Sequence, residues 1–423
     1  MKTLLKNCQT LNGLKNILII DDKIGYIGNE LASYDKIIDI GGLWVIPGII
    51  DPHVHVRDLQ QSEKEDWNSC SNAAINGGIS TIFDMPNTIP ATTNLANLNL
   101  KRKVAGKTLI NKLFYLGATN QNANEIEEML SENPHDIAGI KIFLAGTSSN
   151  DVLEKNKIEE IFEIAKKYDK VVAVHTELQS CLDKWRDKIS EKTIQNHNIL
   201  RNRECAINGT KLVLDMAQEI GNKLYICHVS TLEEIELIAD AKTKNTNIFC
   251  EVTPHHLFLD ETILAKCGNF GKINPPLRTR ADNIALMKAI ENGTIDTIGT
   301  DHAPHTLAEK KQIYAKAPSG FPGLETVLPL LLNAVNNGKI SIEKIVELTS
   351  FNVAKIFNLP NRGKIEAGYF ADLTIIDIAE KWEIDSLKFH SKAKYSPFDG
   401  MDVCGKVKLI FVNGKKIYCR ERR

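Results

Sequence analysis

The sequence lacks the features that mark membrane, secreted and nucleic-acid-binding proteins. It contains no uninterrupted apolar run near the ~18 residues that a transmembrane helix needs, and its opening residues turn to Asn and Gln too early for a signal peptide. The charges almost cancel, with 52 Lys and Arg against 53 Asp and Glu, so no basic excess is available to meet phosphates. These absences predict a cytoplasmic protein that binds neither nucleic acid nor a membrane.

The sequence also lacks closely spaced pairs of cysteines. The nine cysteines are scattered from Cys8 to Cys419 and include no C-x-x-C pair, which predicts reduced thiols in place of a disulfide framework or a zinc ribbon. What is present is ordinary globular composition, 43% apolar and 25% charged over 423 residues. That length predicts either one domain of barrel size with a smaller one or two comparable domains.

Short β-like runs occur at both ends of the chain. Residues 17–50 alternate apolar runs with turn residues, and residues 371–377 and 407–412 repeat that pattern near the other end. The last of these runs precedes the hairpin turn Asn413-Gly414. We therefore predict that residues 1–47 and 365–423 together form a small β-sandwich domain.

Between the ends, short apolar runs alternate with longer amphipathic stretches. The stretch Ile158–Lys167, for instance, places apolar residues at roughly i, i+3, i+4 and i+7, which predicts a helix. Eight β–α units over about 300 residues predict an α/β fold, a (β/α)8 TIM-like barrel, across residues 48–364. The eight predicted strands are Ile49–Val56, Ile79–Met85, Lys112–Ala118, Gly139–Leu144, Val171–His175, Leu224–His228, Ile248–Val252 and Thr297–Asp301.

Metal-binding side chains occur near the ends of four of these strands. His53 and His55 are two residues apart on the first strand, so both imidazoles face the same cavity. His175 and His228 end the fifth and sixth strands, and Asp301 ends the eighth. His175 or His228, taken singly, is better explained as a core or surface residue, and the His53/His55 pair alone is as compatible with a structural role as with metal binding. Together they favour a metal site at the face where barrel active sites lie, and imidazole with carboxylate suits Zn²⁺.

A lysine occurs inside the fourth apolar run, where a charged amine is costly. Lys141 therefore has two interpretations. It can form a salt bridge at the strand end, or its neutral amine can take up CO₂ to form a carbamate, an anionic ligand able to bridge two metals.

Taken together, these residues resemble those of the amidohydrolase superfamily and, within it, the dihydroorotase family, in its long type with a lysine at the metal-bridging position of the fourth strand. The similarity spans nearly the whole chain and includes the closing segment Gly363–Leu373. The motifs that narrow it to dihydroorotase are Asp84–Asn87, Glu251–Leu257, Lys272–Arg278, Asp301–His305 and Ala317–Thr326.

This resemblance implies an enzyme that reversibly cyclises N-carbamoyl-L-aspartate to L-dihydroorotate and water in pyrimidine biosynthesis. It also implies two zinc ions per chain, bridged by carboxylated Lys141 and hydroxide, and Asp301 as the catalytic group that moves the proton. The implied metal ligands are His53, His55, Lys141, His175, His228 and Asp301.

The resemblance further implies how the substrate is held. Arg57 would bind the α-carboxylate, helped by Asn87 and His305. The alternative for Arg57 is a surface ion pair with Asp58 or Asp66. The implied substrate-binding residues are Arg57, Asn87, Asn274, His305, Ser319 and Gly320.

Two other kinds of function remain open, a different cyclic amidohydrolase and an inactive scaffold homologue. Dihydropyrimidinases, hydantoinases and allantoinases act on rings without the α-carboxylate, so Arg57 and Asn87 favour dihydroorotase. An inactive scaffold homologue usually loses metal ligands, whereas all six positions are filled here. The loop with Ser148 and Ser149 either closes over substrate or is an ordinary polar loop. A homodimer and association with aspartate transcarbamoylase are the partnerships that the resemblance suggests.

Overall fold

The computed structural model describes residues 1–30, 33–106, 108–132, 134–146 and 152–418, without the side chain of Tyr418. Ser148 and Ser149 lie outside the described residues, as does Cys419. Within the described residues, no helix is both long enough and apolar enough to cross a membrane.

The chain begins with five short strands that form part of a mixed sheet. Tight turns join the first three strands, and Asp21 adopts a positive φ of 54° in the second turn. The strand β1 pairs antiparallel with β2 and parallel with β4 and β5. The bounds are β1 (Lys2–Thr10), β2 (Gly13–Ile20), β3 (Lys23–Gly28), β4 (Lys36–Asp39) and β5 (Trp44–Pro47).

Eight parallel strands then form a nearly closed barrel, which confirms the predicted fold class. Their apolar runs are buried almost throughout, as expected for strands covered on both faces. A β-bridge between Val54 and His302, with the amide of His55 donating to the carbonyl of His302 at 2.8 Å, brings the first and last strands together. The bounds are β6 (Ile49–Val54), β7 (Ile79–Asp84), β8 (Asn111–Gly117), β9 (Ile137–Phe143), β10 (Val171–His175), β11 (Lys223–Ile226), β12 (Ile248–Val252) and β13 (Thr297–Ile298).

Six of these strands end one to three residues earlier than the sequence predicts. The sixth barrel strand stops before His228 and the eighth before Asp301. These two residues have positive φ values of 38° and 47°, which are incompatible with extended backbone. Their side chains therefore project from turns at the barrel mouth instead of from the strands themselves.

Helices connect the strands, and several of them begin at a side-chain cap. Thr231 and Glu234 form a capping box at the start of α8. The helix predicted from Ile158 begins earlier, at Lys155, and buries Ile158 and Phe162 against the barrel. The bounds are α1 (Trp67–Asn76), α2 (Leu95–Ala105), α3 (Ala123–Ser131), α4 (Lys155–Lys167), α5 (Gln179–Lys188), α6 (His197–Leu200), α7 (Arg203–Ile220), α8 (Leu232–Lys244), α9 (Pro254–Phe258), α10 (Leu264–Cys267), α11 (Arg280–Glu291), α12 (Leu307–Lys310), α13 (Val327–Asn336), α14 (Ile342–Val346) and α15 (Asn352–Ile356).

Short 3₁₀ segments and one π-helical turn complete the helical structure. The π-helical turn continues α14 directly into α15. The 3₁₀ segments are Leu59–Gln61, Glu261–Ile263, Gly268–Gly271 and Ser386–Lys388, and the π-helical turn is Glu347–Phe351.

The last strands return to the first sheet. They are β14 (Leu373–Glu383), β15 (Asp402–Val412) and β16 (Lys415–Tyr418). The strand β14 pairs antiparallel with β5, giving the order β16-β15-β14-β5-β1-β2-β3 with β4 beside β1. The two ends of the chain thus share one sheet, as expected. The domain boundaries at residues 47/48 and 364/365 stay predictions.

The cysteines differ from the sequence-based expectation. Cys181 and Cys205 form a disulfide that joins the start of α5 to the start of α7. The amide of Leu178 donates to the carbonyl of Cys205 at 3.0 Å, so the two helix starts are already held together by the backbone. The prediction of uniformly reduced thiols was therefore wrong, because a contact between two helix starts leaves no local motif in the sequence.

We expect the Cys181→Ser/Cys205→Ser double variant to unfold at lower temperature than the oxidised protein. A disulfide whose cysteines are 24 residues apart stabilises by about 3 kcal/mol, because it restricts the unfolded chain. Thermal unfolding followed by circular dichroism measures the difference. Cys404→Ser, which removes a free thiol, is the matched control and should leave the midpoint nearly unchanged. Equal midpoints for both variants would contradict the expectation.

Candidate active site

The six candidate metal ligands lie at the carboxyl-terminal mouth of the barrel. They come from β6, β9 and β10 and from the turns after β6, β11 and β13. Five of them are buried, and the side chain of Asp301 is only 13% exposed. The structure thus brings together residues that are up to 248 positions apart in the sequence.

The ligating atoms of this group converge. Asp301 Oδ1 lies 3.3 Å from His53 Nε2 and 3.1 Å from His55 Nε2. On the other side, His175 Nδ1 lies 2.9 Å from His228 Nε2. The potential ligand atoms of His53, His228 and Asp301 lie within 4.8 Å of one another. Imidazole nitrogens and a carboxylate oxygen this close are a donor set that fits Zn²⁺.

A buried carboxylate orients His53. Glu251 Oε1 lies 2.7 Å from His53 Nδ1, and the same carboxylate accepts hydrogen bonds from the hydroxyl of Tyr225 at 3.0 Å and the amide of His228 at 3.1 Å. Because a carboxylate can only accept, His53 carries a proton on Nδ1 and turns Nε2 toward Asp301. The sequence places Glu251 in a motif but gives it no role.

The neighbouring imidazoles are oriented in the same way. His55 Nδ1 donates to the side-chain oxygen of Asn87 at 2.6 Å, which leaves Nε2 directed toward the cluster. His175 Nε2 donates to Glu177 at 3.0 Å, so this histidine offers Nδ1 instead. Glu177 is itself held by the guanidinium of Arg201 at 2.6 Å. Sequence reasoning missed Glu177 and Arg201, although the spacing of two residues between His175 and Glu177 was a signal for the first.

Lys141 is fully buried beside this cluster. Its Nζ donates to Cys227 Sγ at 2.8 Å and lies 5.0 Å from the ring centroid of Phe143. The potential ligand atoms of Cys227, His53 and Glu251 lie within 4.8 Å of one another. In the part of the chain that the structure describes, no carboxylate forms a salt bridge with Lys141. The described residues therefore do not support the salt-bridge interpretation of Lys141.

The electrostatics of the cluster differ between its members. Burial opposes protonation of His53, but the negative charges of Glu251 and Asp301 outweigh it and raise the pKa of His53 to about 10. Burial also opposes ionisation of Asp301, yet the charge of His53 and the contact with His55 hold the pKa of its carboxyl well below the usual range. Burial lowers the pKa of His55 to about 4. Asp301 and His55 are thus in the forms that bind metal, whereas His53 must release a proton before it can act as a ligand.

The backbone around the cluster is strained. Arg57, Asp58 and Leu59 have consecutive positive φ values of 67°, 50° and 50°, a conformation that non-glycine residues rarely adopt. This strain begins two residues after His55 and turns the chain sharply. Strained residues of this kind concentrate at functional sites, where the surrounding structure holds them.

Arg57 is buried next to the cluster without a salt bridge to any described residue. Its Nε donates to the carbonyl of Pro304 at 3.2 Å, and its Nη2 lies 3.1 Å from His305 Nε2. The alternative partners are engaged elsewhere, since Asp66 pairs with Lys392 and Asp58 accepts from backbone amides. A buried guanidinium in this state can bind a carboxylate.

Polar contacts connect His305, Ser319 and Asn274 to Arg57, whereas Asn87 contacts His55. His305 Nε2 is 3.0 Å from the carbonyl of Ser319, and the hydroxyl of Ser319 donates to the side-chain oxygen of Asn274 at 3.1 Å. Gly320 adopts a φ of 125° and donates its amide to the carbonyl of Lys272 at 2.8 Å. Asn274 and Ser319 line a cavity of about 400 Å³.

Comparison with known proteins identifies the family of the chain. Residues 44–417 match the family model named Amidohydrolase family. The dihydroorotase of Methanosphaera stadtmanae is 38% identical over 412 residues, covering 95% of this chain and 92% of that protein. The dihydroorotase of Pediococcus pentosaceus is 34% identical over the full length of both. The structure of the L-hydantoinase (dihydropyrimidinase) from Arthrobacter aurescens superimposes with a TM-score of 0.94 at 31% identity, covering 98% of this chain and 96% of that one.

We expect Glu251→Gln to weaken zinc binding about tenfold to a hundredfold, because the charge that orients and polarises His53 is lost. Competition with a chelator measures the zinc affinity. Tyr225→Phe removes one hydrogen bond to Glu251 but keeps its charge, and it should weaken zinc binding much less. Wild-type zinc affinity in Glu251→Gln would show that this carboxylate only fills space.

Proposed function

The chain belongs to the amidohydrolase family, and we propose that within this family it acts as a dihydroorotase. It then catalyses the reversible ring closure of N-carbamoyl-L-aspartate to L-dihydroorotate and water. Relatives that carry this name are 32 to 38% identical over nearly the whole chain. The ring amide is the bond that is made or broken.

The observation that carries the proposal is the buried guanidinium of Arg57. It has no salt bridge within the described chain and lies two residues from His55. Dihydroorotate has an α-carboxylate that does not react and must be fixed beside the ring amide. A bidentate pair with Arg57 would supply that fixed position. His305 contacts Arg57 and would orient it, while Asn87, which accepts a hydrogen bond from His55, would help to hold the carboxylate as the resemblance implies.

The catalytic group of this proposal is Asp301. Its Oδ1 faces the imidazoles of His53 and His55, which leaves Oδ2 for proton transfer. In ring opening, Oδ2 accepts the proton of the attacking water and delivers it to the departing ring nitrogen, and ring closure runs the same transfer backwards. Two zinc ions, when bound by the six ligands, supply Lewis acidity at the carbonyl under attack.

Lys141 completes the proposed ligand set as a carbamate. Carbamate formation needs an amine without a salt-bridge partner, and Lys141 is fully buried with its Nζ directed to Cys227 Sγ and not to a described carboxylate. Its Nζ donates to Cys227 Sγ, and the potential ligand atoms of Cys227 and His53 lie within 4.8 Å of each other. Lys141 is therefore close to the imidazole cluster. An anion at this position would bridge the two metals.

A hydantoinase or dihydropyrimidinase activity is the second candidate. The backbone superimposes on such enzymes with TM-scores of 0.94 and 0.92, so the fold alone is compatible with either reaction. Their names refer to rings without an α-carboxylate, which would leave Arg57 without a ligand. A cytoplasmic location belongs to the proposal as a prediction from the sequence, and a homodimer and association with aspartate transcarbamoylase belong to it on the resemblance alone.

We expect Arg57→Ala to reduce kcat/KM for dihydroorotate strongly. Removing one partner of a buried charged pair costs on the order of 2–5 kcal/mol, or about thirtyfold to several thousandfold. Ring opening of neutral dihydrouracil, assayed with the same variant, should change little. Equal losses for both substrates would mean that Arg57 only supports the barrel mouth. A wild-type protein that opens dihydrouracil but not dihydroorotate would favour the second candidate.

We expect Lys141→Ala to lose most activity and at least one zinc equivalent per chain, because the bridging anion would be missing. Metal analysis of the purified protein measures the loss. Lys141→Arg keeps a cation but cannot form the carbamate, so it should show the same loss. Short carboxylates such as acetate should partly restore the alanine variant. Two zinc ions and near-normal turnover in either variant would contradict the carbamate.

A further inference from the structure

A cationic cavity adjoins the proposed substrate pocket. It has a volume of about 400 Å³ and shares Asn274 and Ser319 with that pocket. We call it the vestibule. The segment closed by the disulfide between Cys181 and Cys205 supplies more than half of its lining residues. Those residues are Leu182, Arg186, Lys192, His197, Leu200 and Arg201.

The charges of the vestibule are of one sign. Four cationic side chains line it, Arg186, Lys192, Arg201 and Lys272, and no Asp or Glu of the described chain does. Asp183 and Glu177 pair with Arg186 and Arg201 from outside the lining. Lys192 and Lys272 have no salt bridge within the described residues.

The two unpaired lysines differ in their surroundings. Lys192 is exposed, whereas Lys272 is buried and donates to the carbonyls of Tyr314 at 2.8 Å and Ala317 at 2.6 Å. Burial and the charge of Arg201 lower the pKa of Lys272 to about 8. The histidine of the lining adds no positive charge, because burial lowers the pKa of His197 to about 3. The net excess of positive charge in the vestibule is thus unbalanced in the free protein.

We propose that the vestibule is an electrostatic capture site for the open-chain, dianionic carbamoyl amino acid on its way to the metal centre. This inference rests on the proposed function, in which N-carbamoyl-L-aspartate carries two ionised carboxylates near neutral pH and dihydroorotate carries one. A cavity walled by cations attracts the dianion more strongly than the monoanion. The network from Asn274 through Ser319 and His305 to Arg57 links the vestibule to the carboxylate position.

The test is the Arg186→Ala/Lys192→Ala double variant, which changes two exposed side chains and no residue of the metal centre. Coulomb energy is proportional to ligand charge, so loss of the two cations should cost the dianion twice the binding energy that it costs the monoanion. Twice the energy means the square of the fold-change. KM should therefore rise about tenfold for carbamoyl aspartate and about threefold for dihydroorotate. Both kcat/KM values should fall by one common factor, because no variant can change the equilibrium between the two compounds. Salt at 0.3 M should remove most of the effect, since about this concentration screens exposed charges beyond several ångströms.

Lys184→Ala is the matched control, since Lys184 is an exposed cation of the same helix outside the cavity lining. It should leave both KM values nearly unchanged. Equal KM changes for the two substrates, no change at all, or the same change in the control would each overturn the capture site. These outcomes leave dihydroorotase activity intact. A wild-type protein that converts neither compound would instead overturn the proposed function.

Discussion

The hydrogen bonds around Glu251 hold the active site together. This carboxylate is fully buried, and an ionised carboxylate in that position is costly unless several donors reach it. Three donors do so, from His53 on β6, Tyr225 on β11 and the backbone of His228 after β11. One buried charge therefore connects three strands of the barrel and determines which nitrogen of His53 is free. Loss of that charge would disturb the metal centre and the packing of the strands at once.

Several features of the site oppose stability. Arg57 is a buried cation without a salt bridge among the described residues, and the residues that follow it have positive φ values. Buried, uncompensated charge and backbone strain each cost free energy in the isolated protein. A substrate carboxylate would compensate the charge of Arg57, so the same arrangement that destabilises the free enzyme favours binding. This is the expected balance at a site that must recognise a charged ligand.

Reaction specificity in this architecture depends on side chains and not on the backbone. The chain shares its backbone with hydantoinases, yet its relatives by sequence are named dihydroorotases. In the proposed function, the metal ligands would serve any cyclic amide, whereas Arg57 and the cationic vestibule would select for negative charge on the substrate. The fold would then supply the hydrolytic chemistry, and a few cationic side chains around the barrel mouth would determine which ring is processed.

The sequence by itself determined the barrel, because eight short apolar runs alternating with amphipathic stretches can bury their apolar faces in few other ways. It also determined which residues are candidate ligands, since His53, His55 and Asp301 occur at strand ends. Only the tertiary structure decided the free nitrogen of each imidazole, the disulfide between Cys181 and Cys205, and the environment of Lys141. Each of these depends on contacts between residues distant in sequence, such as His53 with Glu251. A local pattern records periodicity and burial, but the partner of a side chain is fixed only when the barrel closes and brings separate strands side by side.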